Sequence, residues 1–214
     1  MAGQVTAIEP QKRSSMRVNI YLDGEFAFGL ALSVAEQVRI GQHLSDEMIA
    51  TLRAQDEAER AREKSLDYLS YRPRSEAEMR RYLSGKDFSE DVIDRVLDRL
   101  LDVGLVDDAD FARYWVDNRT RFKPRGQRAL RYELRQKGVD STAIEAALED
   151  FDERAAAYRV AESQGRRISH LPPDAFQKRL TQRMARRGFP YPLIREILDA
   201  YPFPDFNSDE NKEI

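Results

Sequence analysis

The sequence predicts a mainly α-helical chain in which tandem three-helix repeats, three copies in all, follow a small N-terminal β-hairpin or three-stranded module. Three observations carry this. Asp23-Gly24 sits between two apolar, β-rich runs; no strand pattern recurs beyond Leu66; and from there the chain matches itself at shifts of 51 and then 50 residues.

The N-terminal module comes first. Arg17 to Leu22 and Glu25 to Leu30 flank Asp23-Gly24, a dipeptide whose ease at positive φ favours a two-residue hairpin turn. Pairing Leu22 with Glu25 places Val18, Ile20, Leu22 and Ala27 on one face and Tyr21, Phe26 and Phe28 on the other. A lone hairpin is marginal in water, so Gln4 to Ile8 is expected to add a third strand and a helix to cover one side. The charge-rich stretch from Ser45 to Ser70 supplies that helix, with Ser45 as its cap. Its middle, Ala54 to Lys64, has few large apolar residues and reads as a solvated link to the helical repeats.

The repeats come next. The shifts align Met79, Leu83, Phe88, Ile93 and Leu97 with Leu130, Leu134, Val139, Ile144 and Leu148, and these with Leu180, Met184, Phe189, Ile194 and Leu198. In each copy the first pair is spaced i, i+4 on one helix, the middle residue lies in a turn, and the last pair is again i, i+4 on a second helix. Gly138 aligns with Gly188, each just past a helix where a left-handed residue ends the turn. Helix starts are marked by Ser75 with Glu78, Asp174 with Gln177, Ser89 and Asp140. An earlier helix opens each copy; in the second it begins at Asp107 or Asp108 and lines up Phe111, Trp115, Asn118 and Phe122. Units of about fifty residues bury little alone and gain a core by stacking. The expected boundaries are 1–50 for the β module with a short helix, then 51–106, 107–150 and 151–203 for the repeats. A polar tail, 204–214, is expected to fray.

Composition narrows function by exclusion. The 214 residues hold 35 Lys and Arg against 38 Asp and Glu, a net charge of −3, and no Cys. Thiolate chemistry, disulfides and Cys-based metal centres are therefore absent. Charged residues make up 34 %, above the ~25 % usual for soluble domains. The start of the chain lacks a basic stretch followed by an apolar one, and the longest charge-free apolar stretch, Phe26 to Ala35, is far too short to span a bilayer. A cytoplasmic protein without a membrane partner is expected.

Catalytic arrangements are missing. His43 and His170 each stand alone. Gly85-Lys86 resembles part of a phosphate loop, yet Arg80 and Asp87 occupy two of its fixed positions. Asp107, Asp108 and Asp110 lack the glycine and distal glutamate of a calcium loop and read as acids at a helix start. The reading is no enzyme, no catalytic residue, no metal and no cofactor.

One stretch stands out. Arg119 to Lys137 holds eight cations against the single acid Glu133. On a helix starting near Gly126, Arg128, Arg131 and Arg135 share one face while Leu130 and Leu134 point nearly opposite. Arg121, Lys123, Arg125, Arg128, Arg131 and Arg135 are the candidate partner-binding residues. Arg166, Arg167, Lys178, Arg179, Arg183, Arg186 and Arg187 form a comparable group in the third repeat. Such stripes suit phosphates or an acidic protein groove.

The residues Leu69-Ser70-Tyr71-Arg72-Pro73-Arg74-Ser75 with Glu78 and Leu83, then Gly104-Leu105-Val106-Asp107-Asp108 with Phe111-Ala112, Arg125-Gly126 and Glu133-Leu134-Arg135-Gln136-Lys137-Gly138, together resemble the RecX family of regulatory proteins. The resemblance is close over residues 60–150 and looser in the third repeat. It implies an elongated, curved array of three-helix repeats and, as partner, the RecA filament on single-stranded DNA. Its implied function is to inhibit or tune the recombinase, ATPase and coprotease activities of RecA in DNA repair, recombination and the SOS response. A monomer without cofactor is expected, inhibition being the expected direction. The alternative is a helical repeat protein that binds nucleic acid directly, because Leu134 to Leu148 around Gly138 has the form of a helix-turn-helix.

Overall fold

A computed structural model describes residues 2–12 and 14–200. The tail expected to fray, 204–214, lies outside the described residues. The chain divides into two compact units, Met1–Arg74 with Glu78–Val106, and Ser75–Ala77 with Asp107–Ile214.

The first unit opens with four antiparallel strands, β1 (Gly3–Gln11), β2 (Ser14–Leu22), β3 (Glu25–Ala31) and β4 (His43–Leu44), in the order β3-β2-β1-β4. The hairpin turn is where the dipeptide put it, with Asp23 at φ 50° and Gly24 at φ 89°, and Leu22 faces Glu25. One expectation needs correcting. Phe28 lies on the core face, because Tyr21 pairs with Phe26 and Ile20 with Phe28, leaving Ala27 as an extra residue. This β-bulge flips the faces beyond it, so Phe28 and Leu30 join Val18, Ile20 and Leu22 in the core while Phe26 stays exposed. β4 is an addition to the three strands expected.

A short helix α1 (Leu32–Ala35) and the long α2 (Asp46–Ser70) complete the module. Ser45 caps α2, its hydroxyl accepting from Met48 N at 3.2 Å. The middle of α2 is less solvated than its composition suggested: Ala61 is fully buried and Asp56 nearly so. The Asp56 carboxylate accepts from Ala31 N at 2.6 Å and pairs with Arg17 at 3.0 Å, tying helix to sheet. Further along, α2 covers Met79 and Leu83 of α3 (Glu76–Ser84) and Ile93 and Leu97 of α4 (Glu90–Asp102).

The second unit holds α5 (Asp108–Phe122), α6 (Gln127–Gln136) and α7 (Ser141–Leu148), then α8 (Glu153–Gly165), α9 (Pro173–Ala185) and α10 (Tyr191–Ala200). A 3₁₀ turn at Arg166–Ile168 follows α8. Fourteen of the fifteen positions aligned by self-comparison are buried, and Phe88 is partly buried against its own cluster. Burying a Leu or Ile side chain contributes roughly 1.5–3 kcal/mol, so each repeat draws its stability from the periodicity that revealed it. Phe151 packs against the clusters of both the second and third repeats.

Helix starts follow the acids more than the serines. Asp107 accepts from Asp110 N at 2.9 Å, and Asp140 from Thr142 N at 2.7 Å and Ala143 N at 3.1 Å. Ser89 stands at the cap position of α4 but donates its hydroxyl to Glu57, and α9 starts from Pro172-Pro173 with Asp174 inside its first turn. The stripe on α5 also ends early. Phe111 and Trp115 are buried, but Phe122, the helix's last residue, is 75 % exposed beyond the reach of the core.

The two backbone amides at Asp140 hold its carboxyl below the ordinary value of 3.8. A depressed acid pKa stabilises the fold above the unfolded-state value, and that contribution disappears as pH falls through the folded-state value. Asp140→Ala should therefore lower the thermal midpoint at neutral pH, with the difference from the parent shrinking once the pH drops below 3.8. A gap between the two melting curves that stayed constant through that fall would contradict the assignment.

Candidate basic binding face

The second repeat turns its cationic run outward because its apolar residues are spoken for. Leu130 and Leu134 of α6 are fully buried, which directs Arg128 and Arg135 to solvent on the other side of the helix. Arg121 and Lys123 are exposed on either side of Phe122, where α5 ends and the chain turns through Pro124. Among the described residues none of these four is in an ion pair.

The other two candidates are held by acids. Arg131 forms a bidentate pair with Glu145 of α7, at 2.8 Å to each oxygen, and donates to Gln127 Oε1 at 3.1 Å. The hydrogen bonds of this pair push Arg131 above its usual pKa and Glu145 below its own. Arg125 faces Glu133 at 3.4 Å. Glu133, the run's single acid, also accepts from Trp115 Nε1 at 2.9 Å and Arg119 Nε at 2.6 Å. The Arg119 guanidinium lies 4.1 Å from the Trp115 ring centre, and Lys137 Nζ 5.0 Å from it. Glu133 therefore fixes Arg119 against the core, while Arg121, Lys123, Arg128 and Arg135 stay exposed to solvent.

The third repeat contributes a cleft of about 570 Å³ lined by Arg167, His170, Lys178, Arg179 and Arg183. Arg166 is engaged with Glu162 at 2.9 Å. The two basic groups meet within the second unit. Gly126 N donates to Arg187 O at 2.9 Å, and Arg187 Nη1 donates to Pro124 O at 3.3 Å, so the end of α9 lies against the loop that carries Arg125. Nothing in the sequence spacing linked these segments.

The helix-turn-helix alternative fares poorly on geometry. Gly138, at φ 83°, does end α6, but α7, which would have to enter a groove, contains no Lys or Arg. It exposes Ser141, Thr142 and Glu145 and buries Ile144 and Leu148. Such a helix brings no cation of its own to a phosphate backbone and spends its apolar face on its own repeat. Among the described residues no cluster of three or more His, Asp or Glu is placed to hold a metal ion, and no helix is long and apolar enough to cross a membrane.

Four family models match in chain order: the regulatory protein RecX N-terminal domain over residues 3–45, and the first, second and third RecX three-helix domains over 61–100, 107–148 and 152–198. The regulatory protein RecX of Limosilactobacillus reuteri is 32 % identical, the match covering 97 % of this chain and 81 % of that protein. Its namesake in Bacillus subtilis is 30 % identical, over 98 % and 80 %. A crystal structure of regulatory protein RecX superposes with a TM-score of 0.70 at 31 % identity, covering 93 % of this chain and all of the other. That of RecX from Lactobacillus salivarius gives 0.59 at 26 % identity, over 68 % and 97 %. All six candidate residues fall in the segment matched by the second three-helix domain.

Proposed function

The chain belongs to the RecX family of regulatory proteins, and on that premise we propose that it binds the RecA filament on single-stranded DNA and inhibits RecA. The activities it lowers are recombination, ATP hydrolysis and coprotease function. The observation that carries this reading is the outward face of the second repeat, where Arg121, Lys123, Arg128 and Arg135 stand exposed and, among the described residues, in no ion pair. Arg125 and Arg131 flank them as cations already positioned by Glu133 and Glu145.

Such a regulator needs no catalytic group. It acts by binding one state of the filament better than another, which shifts assembly and the activities that depend on it. Several modest patches on one chain reinforce each other, since each contact raises the effective concentration of the next. A cytoplasmic location follows from the partner. Direct action on nucleic acid as a helix-turn-helix protein is disfavoured by the cation-free α7.

The test is single-stranded-DNA-dependent ATP hydrolysis by RecA with added protein. Arg128→Glu with Arg135→Glu is the clean pair, because among the described residues neither is in an ion pair, and Glu145 keeps its bidentate partner Arg131. Half-inhibition by the double variant should need roughly tenfold more protein, the equivalent of ~1.4 kcal/mol, with its melting curve unchanged. Inhibition equal to the parent's would remove this face from the proposal, and no effect of the parent at stoichiometric amounts would remove the function.

A further inference from the structure

Like charges gathered in one place raise the free energy of a fold unless something opposite in sign sits among them. The junction of the second and third repeats is such a place. Backbone contacts fix it: the Gly126 N to Arg187 O hydrogen bond of 2.9 Å and the close approach of Gly188 to Ala129 bring the end of α9 to the loop holding Arg125. One helical turn earlier on α9 is Arg183, whose Nη1 reaches Gln164 Oε1 at 3.3 Å. Arg167, just past α8, shares a cleft with Arg183.

The polar partners of this group are nearly all neutral. Among the described residues Arg167, Arg183 and Arg187 are in no ion pair, and Arg187 finds only the Pro124 carbonyl, at 3.3 Å. The buried Nε of Arg125 lies 3.4 Å from Glu133, a carboxylate already engaged by Trp115 and Arg119, an ion pair without a hydrogen bond, and it makes none elsewhere among the described residues. Burial first, and then the charges of Arg125, Arg167 and Arg183, push Arg187 below its usual pKa. The contrast with Arg131, neutralised by a bidentate carboxylate in the same unit, shows what a structural arginine looks like in this fold.

We propose that Arg125, Arg167, Arg183 and Arg187 form a phosphate-binding site at the junction of the second and third repeats. Guanidinium forks present paired N–H groups that match phosphate oxygens. A phosphate also brings more acceptor oxygens than a carboxylate, and on a strand or in a polyphosphate its charge is repeated along the ligand, as four clustered cations require. Two sources share this chemistry, the backbone of a single nucleic-acid strand and free polyphosphate. The site belongs to the chain alone, so it goes beyond the filament reading and its test needs no RecA.

The full-length chain is titrated at low salt with a labelled oligothymidylate, and separately with inorganic tripolyphosphate. The variant is Arg167→Gln with Arg183→Gln. Relative to the parent it should bind about tenfold more weakly, with the slope of log affinity against log salt reduced by about 1.4, roughly 0.7 for each arginine lost on a single strand. Without ligand its thermal midpoint should equal or exceed the parent's, since two mutually repelling charges are gone. Addition of tripolyphosphate should raise the midpoint of the parent but not of the variant. Arg167→Gln alone, at an exposed position, gives a partial loss and stands in if the double variant folds poorly. A strand that tripolyphosphate fails to displace assigns the site to the nucleic-acid backbone, and one that it displaces assigns it to phosphate from either source. Binding of neither probe by the parent, or binding by both variants equal to the parent's, would overturn the proposal, and capture of an acidic peptide instead of both probes would do the same.

Discussion

Alanine at Gly188 is expected to destabilise the second unit by about 2–5 kcal/mol. Gly188 sits at φ 88°, in the left-handed region, where a non-glycine residue costs roughly 1–2 kcal/mol. Its new Cβ would also fall 2.5 Å from the Ala129 Cβ and 2.7 Å from the Ala129 nitrogen, both part of α6. No flexible side chain can swing aside there, so α6 and the turn must separate, at a further cost of ~1–3 kcal/mol. The same movement would break the Gly126 to Arg187 hydrogen bond and scatter the arginine cluster. Gly104→Ala is the control: its φ is 70°, but nothing lies within 4 Å of the added Cβ. Urea unfolding of both variants should show Gly188→Ala losing clearly more, along with binding to oligothymidylate. Equal losses would mean that the close approach to Ala129 relaxes freely and that the junction is not fixed by it.

How much of this was legible beforehand depends on the reach of each signal. The repeat core was readable because Leu130, Leu134, Ile144 and Leu148 bury by a periodicity that lies within one helix pair and recurs in two more copies. The hairpin was readable from a dipeptide. The bulge at Ala27 was not, because it is a property of two strands together, and it moved Phe28 to the opposite face. The candidate site divides in the same way. Helical spacing alone placed Arg128 and Arg135 opposite the buried leucines. It could not show that Arg131 is taken by Glu145, fourteen residues away, or that Glu133 anchors Trp115 and Arg119 instead of diluting the cationic face. The meeting of Arg125 with Arg187 is further still from local pattern. Its one trace was Gly188, read as a helix stop; that reading is correct, but the glycine also lets the turn touch Ala129.

The second large effect is expected at Glu133, where stability and anion affinity should move in opposite directions. Its carboxylate side chain is 20 % exposed and serves the Trp115 indole, the Arg119 guanidinium at 22 % exposure, and Arg125. Glu133→Ala removes the acceptor of a partly buried N–H and the counter-charge of two cations at once, a loss of about 2–4 kcal/mol after allowing for solvent at the rim. Glu133→Gln keeps one oxygen for the indole or for Arg119 and loses only the charge, so it should fall about halfway between. A further net positive charge beside Arg125 strengthens the attraction for phosphate, and oligothymidylate should bind Glu133→Gln a few-fold more tightly at low salt, the gain fading as salt screens it. Denaturation and titration of the same two preparations measure both effects. Were both stability and affinity to fall in Glu133→Gln, the carboxylate would be holding Arg125 in its binding geometry, and the acid would count as a positioning residue of the phosphate site. An unchanged denaturation midpoint in Glu133→Ala would instead show that Arg119 and Trp115 are held by their stacking alone.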